Sequence, residues 1–224
     1  MNAIEQYNIG IMYYYGLRGV SQSYTKAIKW FTKAANQGYA DAENTLGIMY
    51  HNGQGTTKEY SIARRWFKKA ANQGLLIALN NLGIMYCYNG QVIAEEYVRA
   101  VFSFRDAAEQ GLPAAMNNLG MMYYLGTGVS KNYKVAVNLL QEAANHGLIA
   151  AQNNLMIITS NNNELSLQNN ITDLGSSTKQ NQQNSAITQY NLTITTYDDY
   201  QETYQNDVPE VTTNANKKHY GYWP

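Results

Sequence analysis

Apolar positions recur at helical spacing along the first two thirds of the chain. In AIKWFTKAANQG, Ala27, Trp30, Phe31, Ala34 and Gly38 fall at i, i+3, i+4, i+7 and i+11, which puts them on one face of an amphipathic helix. The block returns as IARRWFKKAANQG, AVFSFRDAAEQG and AVNLLQEAANHG, with alanine pairs beginning at Ala34, Ala70, Ala107 and Ala143. A tyrosine leads each copy: Tyr24, Tyr60, Tyr97 and Tyr133. Each copy ends on a glycine, at Gly38, Gly74, Gly111 and Gly147. That residue enters the left-handed conformation that stops a helix without a Cβ clash.

A second pattern interleaves with the first. IGIMYYYGLR, LGIMYHNGQG, LGIMYCYNGQ and LGMMYYLGTG carry glycines at Gly10, Gly47, Gly83 and Gly120, so the chain repeats every 36 or 37 residues. Apolar pairs Ile9/Tyr13, Leu46/Tyr50, Leu82/Tyr86 and Leu119/Tyr123 are four apart, again one helical face. The glycine falls inside the helix, where it costs about 0.8–1 kcal/mol against alanine. A cost repeated four times predicts a packing reason, a neighbouring helix that approaches too closely for a Cβ. Each unit is therefore predicted to be a helix A, a glycine-permitted turn (GLRGV, GQGTT, GTGV) and a helix B. One such pair cannot bury its apolar face alone, whereas a stack of more than three makes a continuous core. The units run over about 2–38, 39–74, 75–111 and 112–147, with a half-repeat at 148–158 in which Met156 replaces the glycine and Thr159 the tyrosine.

Composition then changes the picture at the C-terminal end. Of the 66 residues in 159–224, 18 are Asn or Gln and 15 are Ser or Thr. A segment so poor in apolar residues does not offset an ordering cost of about 1–2 kcal/mol per backbone residue, so a disordered tail is predicted. Its aromatic spots include Tyr190, Tyr197, Tyr200, Tyr204, Tyr220, Tyr222 and Trp223, candidates for a recognition motif or for docking back on the repeats. The tail carries 3 basic and 7 acidic residues, while the repeats carry 13 basic and 9 acidic, for zero net charge overall. That balance argues against a nucleic-acid partner. The local basic stripe of Lys26, Lys29, Lys33, Arg64, Arg65, Lys68 and Lys69 keeps nucleic-acid or membrane binding as an alternative, although it fades at Asp106 and Glu142 and reads better as a solvated convex face. NIT at Asn170 and NLT at Asn191 match the glycosylation pattern, as chance allows in so Asn- and Thr-rich a tract.

Chemistry is sparse. One cysteine and three histidines leave no disulfide framework and no cysteine or histidine metal cage. No phosphate-binding glycine loop, nucleophile elbow or HExxH pair occurs, so no catalytic, metal or cofactor residue is assigned. Met12, Met49, Met85 and Met122 read as adaptable core filler, Cys87 as an inert thiol, and His146 as a helix C-terminal residue favoured by the dipole. No apolar run is long enough for a membrane span. The start, MNAIEQYNIG, lacks the basic-then-apolar pattern of a secretory signal, which points to the cytoplasm.

The set A…LG..Y..G.G…Y..A..W..KAA.QG resembles the Sel-one-like repeat family, relatives of the tetratricopeptide repeats, over about residues 2–158. Departures are local: Asn89 stands where Gly16, Gly53 and Gly126 stand, and Ser103 and Leu139 stand where Trp30 and Trp66 do. The resemblance implies an all-α fold, a right-handed α/α superhelix of about 4.5 repeats. It also implies a non-enzymatic scaffold that binds a protein or extended peptide on a concave face lined by helix A, and it leaves open export without an N-terminal signal. Cysteine-rich relatives are linked to β-lactam handling, an enzyme alternative disfavoured here because those carry paired cysteines in each repeat. A helical wheel puts Leu46, Gly47 and Tyr50 toward helix B. The opposite side, and so the implied contact face, carries Tyr7, Ile11 and Tyr14 in the first repeat and Asn44, Ile48 and His51 in the second. The third repeat places Asn80, Ile84 and Tyr88 there, the fourth Asn117, Met121 and Tyr124, and the half-repeat Asn153. The asparagine column Asn44, Asn80, Asn117 and Asn153 offers one amide per repeat, either for a bound peptide or for holding adjacent repeats in register.

Overall fold

The computed structural model describes residues 1–87 and 94–169, with side chains through residue 161. Five A helices, α1 (Ala3–Tyr15), α3 (Ala40–Asn52), α5 (Leu76–Cys87), α7 (Pro113–Leu125) and α9 (Ile149–Asn169), alternate with four B helices. These are α2 (Tyr24–Ala35), α4 (Tyr60–Asn72), α6 (Ala94–Glu109) and α8 (Tyr133–Asn145). No strand occurs among the described residues. Each A helix packs against the B helix of its own repeat, and each B helix packs in turn against the next A helix. The result is an all-α solenoid in which every repeat is held mainly by its neighbours.

Local sequence explains the boundaries. Asn2 and Glu5 form a reciprocal capping box at α1: the Glu5 amide donates to Asn2 Oδ1 at 2.8 Å and the Asn2 amide to Glu5 Oε2 at 2.9 Å. Ser23 and Asn132 cap α2 and α8, and Pro113 opens α7, where its missing N–H costs nothing. After the B helices, Gly38, Gly74, Gly111 and Gly147 adopt φ of 80°, 84°, 90° and 83°, the left-handed stop that the sequence predicted.

The mid-helix glycines mark the tightest contacts in the core. A Cβ on Gly10 would lie 2.5 Å from the Phe31 ring, on Gly47 2.5 Å from Phe67, and on Gly83 2.6 Å from Phe104. All three rings are fully buried. In the fourth repeat Leu140 takes the ring's place, 3.0 Å from a Cβ on Gly120. Each phenylalanine buried in this way contributes about 1.5–3 kcal/mol, more than the glycine costs. Met49, Met85 and Met122 fill the same core.

One boundary differs from expectation. The repeat region was expected to end at 158 and a tail to begin at 159, but α9 continues to Asn169. No glycine or proline occurs between Gly147 and Gly175, so nothing stops the helix where its apolar pattern fades. The expected disordered tail falls mostly on residues 170–224, which lie outside the described residues, as do Tyr88 and Asn89.

Candidate functional site

The asparagine column settles into a ladder between repeats. Asn81 Nδ2 donates to Asn44 Oδ1 at 3.1 Å, Asn118 Nδ2 to Asn80 Oδ1 at 2.9 Å, and Asn154 Nδ2 to Asn117 Oδ1 at 2.9 Å. Asn117 Nδ2 also donates to Asn118 Oδ1 at 3.2 Å. The amides of α9, α7 and α5 thus form one connected chain, buried throughout. The first junction uses other residues at the same two positions, Tyr7 Oη and Thr45 Oγ1, 3.5 Å apart. Burial pushes the Tyr7 hydroxyl far above its ordinary pKa, the Thr45 hydrogen bond opposing this in part. In a low-dielectric setting such satisfied networks are strong and specify one arrangement.

This corrects part of the predicted contact face. Asn44, Asn80 and Asn117 are 2%, 0% and 1% exposed, and Tyr7, Ile48, Ile84 and Met121 are buried at 5% or less. None of the seven is within reach of a partner. The helical wheel takes no account of the A helices that neighbour each A helix, which the bonds from α5 to α3 and from α7 to α5 reveal. The partners missed in the sequence, Asn81, Asn118 and Asn154, carry a signal nonetheless: an Asn-Asn pair recurs in the third, fourth and fifth units.

A second recurring bond joins the A and B helices of one repeat. Gln37 Nε2 donates to Gln6 Oε1 at 2.8 Å, and one repeat later Gln73 Nε2 donates to Glu43 Oε2 at 2.7 Å. Glu43 is only 4% exposed. Burial raises its carboxyl above the usual range, with the Gln73 bond and the Lys69 charge opposing.

Ile11, Tyr14, His51 and Tyr124 remain partly exposed, and Asn153 is exposed. Three of them belong to aromatic pairs near the ends of the A helices. Tyr14 meets Tyr24 with ring centroids 5.2 Å apart, His51 meets Tyr60 at 5.4 Å, and Tyr124 meets Tyr133 at 6.5 Å. Tyr14 Oη also donates to Gln54 Oε1 at 3.1 Å, tying the turn of the second repeat to the first. Burial lowers the His51 pKa, with the Asn52 hydrogen bond opposing and Lys58 adding to the shift. In the third repeat Cys87 takes this position, its thiol pushed up to about 12 by burial, far from the thiolate needed for nucleophilic chemistry.

The Sel1 repeat model matches residues 6–39, 40–75, 76–112 and 113–148, each match covering an A helix, in the first case from its fourth residue, and the B helix that follows. The chain belongs to the Sel1 repeat family. Among solved structures, it is similar to a protective antigen of uropathogenic Escherichia coli displaying an SLR fold. The TM-score is 0.63 at 37% identity, over 69% of this chain and 32% of the antigen. A Sel1 repeat protein from Oxalobacter formigenes follows, with TM-score 0.59 and 34% identity over 66% of this chain and 60% of that one. Among curated proteins, a 52-residue stretch is 44% identical to the ERAD-associated E3 ubiquitin-protein ligase component HRD3A of Arabidopsis thaliana, covering 23% of this chain and 8% of that protein. Sel1 repeat proteins are typically non-catalytic protein-interaction scaffolds. No helix among the described residues is long and apolar enough to cross a membrane.

Proposed function

We propose that this chain is a non-enzymatic adaptor that holds a protein or an extended peptide along the exposed edge of its A helices. The observation that carries this is the recurrence of partly exposed Tyr14, His51 and Tyr124, each against the leading tyrosine of its own B helix. Aromatic side chains combine large contact area with few rotatable bonds, so they anchor interfaces well. Recurrence at the same position in three of the four repeats suits a ligand that runs along the stack. Ile11 is partly exposed in the first repeat and Asn153 exposed in the last half-repeat, and the HRD3A similarity is consistent with an adaptor role.

Affinity capture from native extract with the full chain, followed by mass spectrometry, tests the proposal. The control is the same chain carrying Tyr14→Ala, His51→Ala and Tyr124→Ala, checked for unchanged helicity. A protein recovered by the parent and lost from the variant is the expected result. Equal recovery by both chains would move the site off this edge. Substituting Asn80 or Asn117 would not serve, because both amides belong to the buried ladder.

A further inference from the structure

The exposed B-helix face of the first two repeats is purely cationic. Lys26, Lys29 and Lys33 on α2 and Arg65, Lys68 and Lys69 on α4 are all exposed, and neither helix contains an acidic residue. Arg64 forms an ion pair across repeats, its Nη1 lying 3.1 Å from Glu96 Oε1 on α6. The face also repeats a specific geometry. Lys33 Nζ sits 4.1 Å from the Trp30 ring centroid, and Lys69 Nζ sits 4.5 Å from that of Trp66, 36 residues on. Stacking on an indole restrains each ammonium while its side chain stays exposed to solvent. A shallow depression lies along α2, lined by Lys26, Ile28, Lys29, Trp30, Thr32 and Lys33.

The same chain supplies a segment of complementary chemistry. YDDYQETYQNDVPE, residues 197–210, holds five carboxylates (Asp198, Asp199, Glu202, Asp207, Glu210), three interleaved tyrosines and no basic residue. It is the densest run of acid in the sequence. We infer that residues 197–210 dock on the basic, tryptophan-bearing face of α2 and α4 within the same molecule. The carboxylates meet Lys29, Lys33, Lys68 and Lys69, while the tyrosines lie against the Trp30 and Trp66 edges.

Chain length permits it. Some 27 residues separate the end of α9 from Tyr197, reaching up to about 90 Å when extended. The return from α9 to α2 passes about four helix-pair layers of roughly 10 Å each. Tethering at this length corresponds to an effective concentration on the millimolar scale, so contacts too weak to recruit a free acidic peptide suffice in cis. The face used is not the aromatic edge proposed for the partner, so either assignment can fail without the other.

The test places a spin label on the full chain at Gln205→Cys in a Cys87→Ser background, because Cys87 is only partly buried, and reads amide signals by NMR. At 50 mM salt the signals of Lys29, Lys33 and Lys68 should fall below half their intensity in the reduced control. They should recover at 0.5 M salt, where the Debye length is only a few ångström. They should also recover in Asp198→Asn/Asp199→Asn/Glu202→Gln, a variant that leaves the solenoid unaltered. Broadening centred on the A helices or α9, or none at low salt, would overturn the assignment. So would broadening that appears when a spin-labelled chain is mixed with an isotope-labelled one, which puts a second copy on the face. A 20-nucleotide DNA that shifts the α2 and α4 signals while the label leaves them sharp would give the face to nucleic acid instead.

Discussion

At Gly47 a hydrogen atom occupies the only space between α3 and the Phe67 ring, since a Cβ would stand 2.5 Å from it. Gly47→Ala gains about 1 kcal/mol of helix propensity but forces overpacking worth about 1–3 kcal/mol. The ring is fully buried, so it has little room to yield. A net loss of up to about 2 kcal/mol is expected. Gly120→Ala meets Leu140 at 3.0 Å and should lose less, so thermal melts should rank the parent above Gly120→Ala and that above Gly47→Ala.

His51 makes a prediction of opposite character, because it concerns pH. Burial is the largest cause holding its folded-state pKa below the ordinary 6.5. Between those two values the unfolded chain binds the proton and the folded chain does not. Stability should therefore rise with pH through that window, and be lost as pH falls from about 6.5 toward the folded value. Melting temperatures from pH 5 to 8 should show this slope in the parent and a weaker one in His51→Gln. The other two histidines are common to both chains, so the difference isolates His51.

Among the elements, α9 is unlike the other A helices in having no B helix after it among the described residues. Met156 stands where the other repeats have glycine and is 65% exposed, while Ile158, two residues on, is fully buried against the fourth repeat. Ile158→Ala should cost about 2–4 kcal/mol, whereas Met156→Lys should change stability by less than about 0.5 kcal/mol. Chemical denaturation of the two variants checks the contrast. A large loss at Met156 would mean that its face is covered.

For the whole molecule, stability is the sum of repeats and the junctions that couple them. The amide ladder is one such coupling. Asn118→Ala removes both the bond to Asn80 and the bond from Asn117, at a cost of about 2–4 kcal/mol for buried groups that lose partners. Because the loss falls at one junction, the first three repeats and the remainder should begin to unfold separately. A broader urea transition with a smaller slope is expected, together with hydrogen exchange that divides near α6. A shifted midpoint with an unchanged slope would show that the apolar packing of α6 against α7 maintains cooperativity alone.

Much of this fold was legible in the sequence because its determinants are local or strictly periodic. The helix stripes, the left-handed glycine stops and the internal glycines that signal close packing all repeat at 36 or 37 residues, and four independent copies make each of them unmistakable. Family membership follows from the same residues. What the sequence could not decide was the surroundings of each helix face. A helical wheel gives the direction of Asn44, Asn80 and Asn117, but not that the adjacent A helix lies in that direction, where an amide is worth more as a bond between repeats than as a contact for a ligand. Likewise, only the stacking leaves Tyr14, His51 and Tyr124 at the rim while Ile48, Ile84 and Met121 are sealed below. Periodicity is a property of one chain segment, whereas burial depends on what every other segment leaves uncovered, and that is decided in three dimensions.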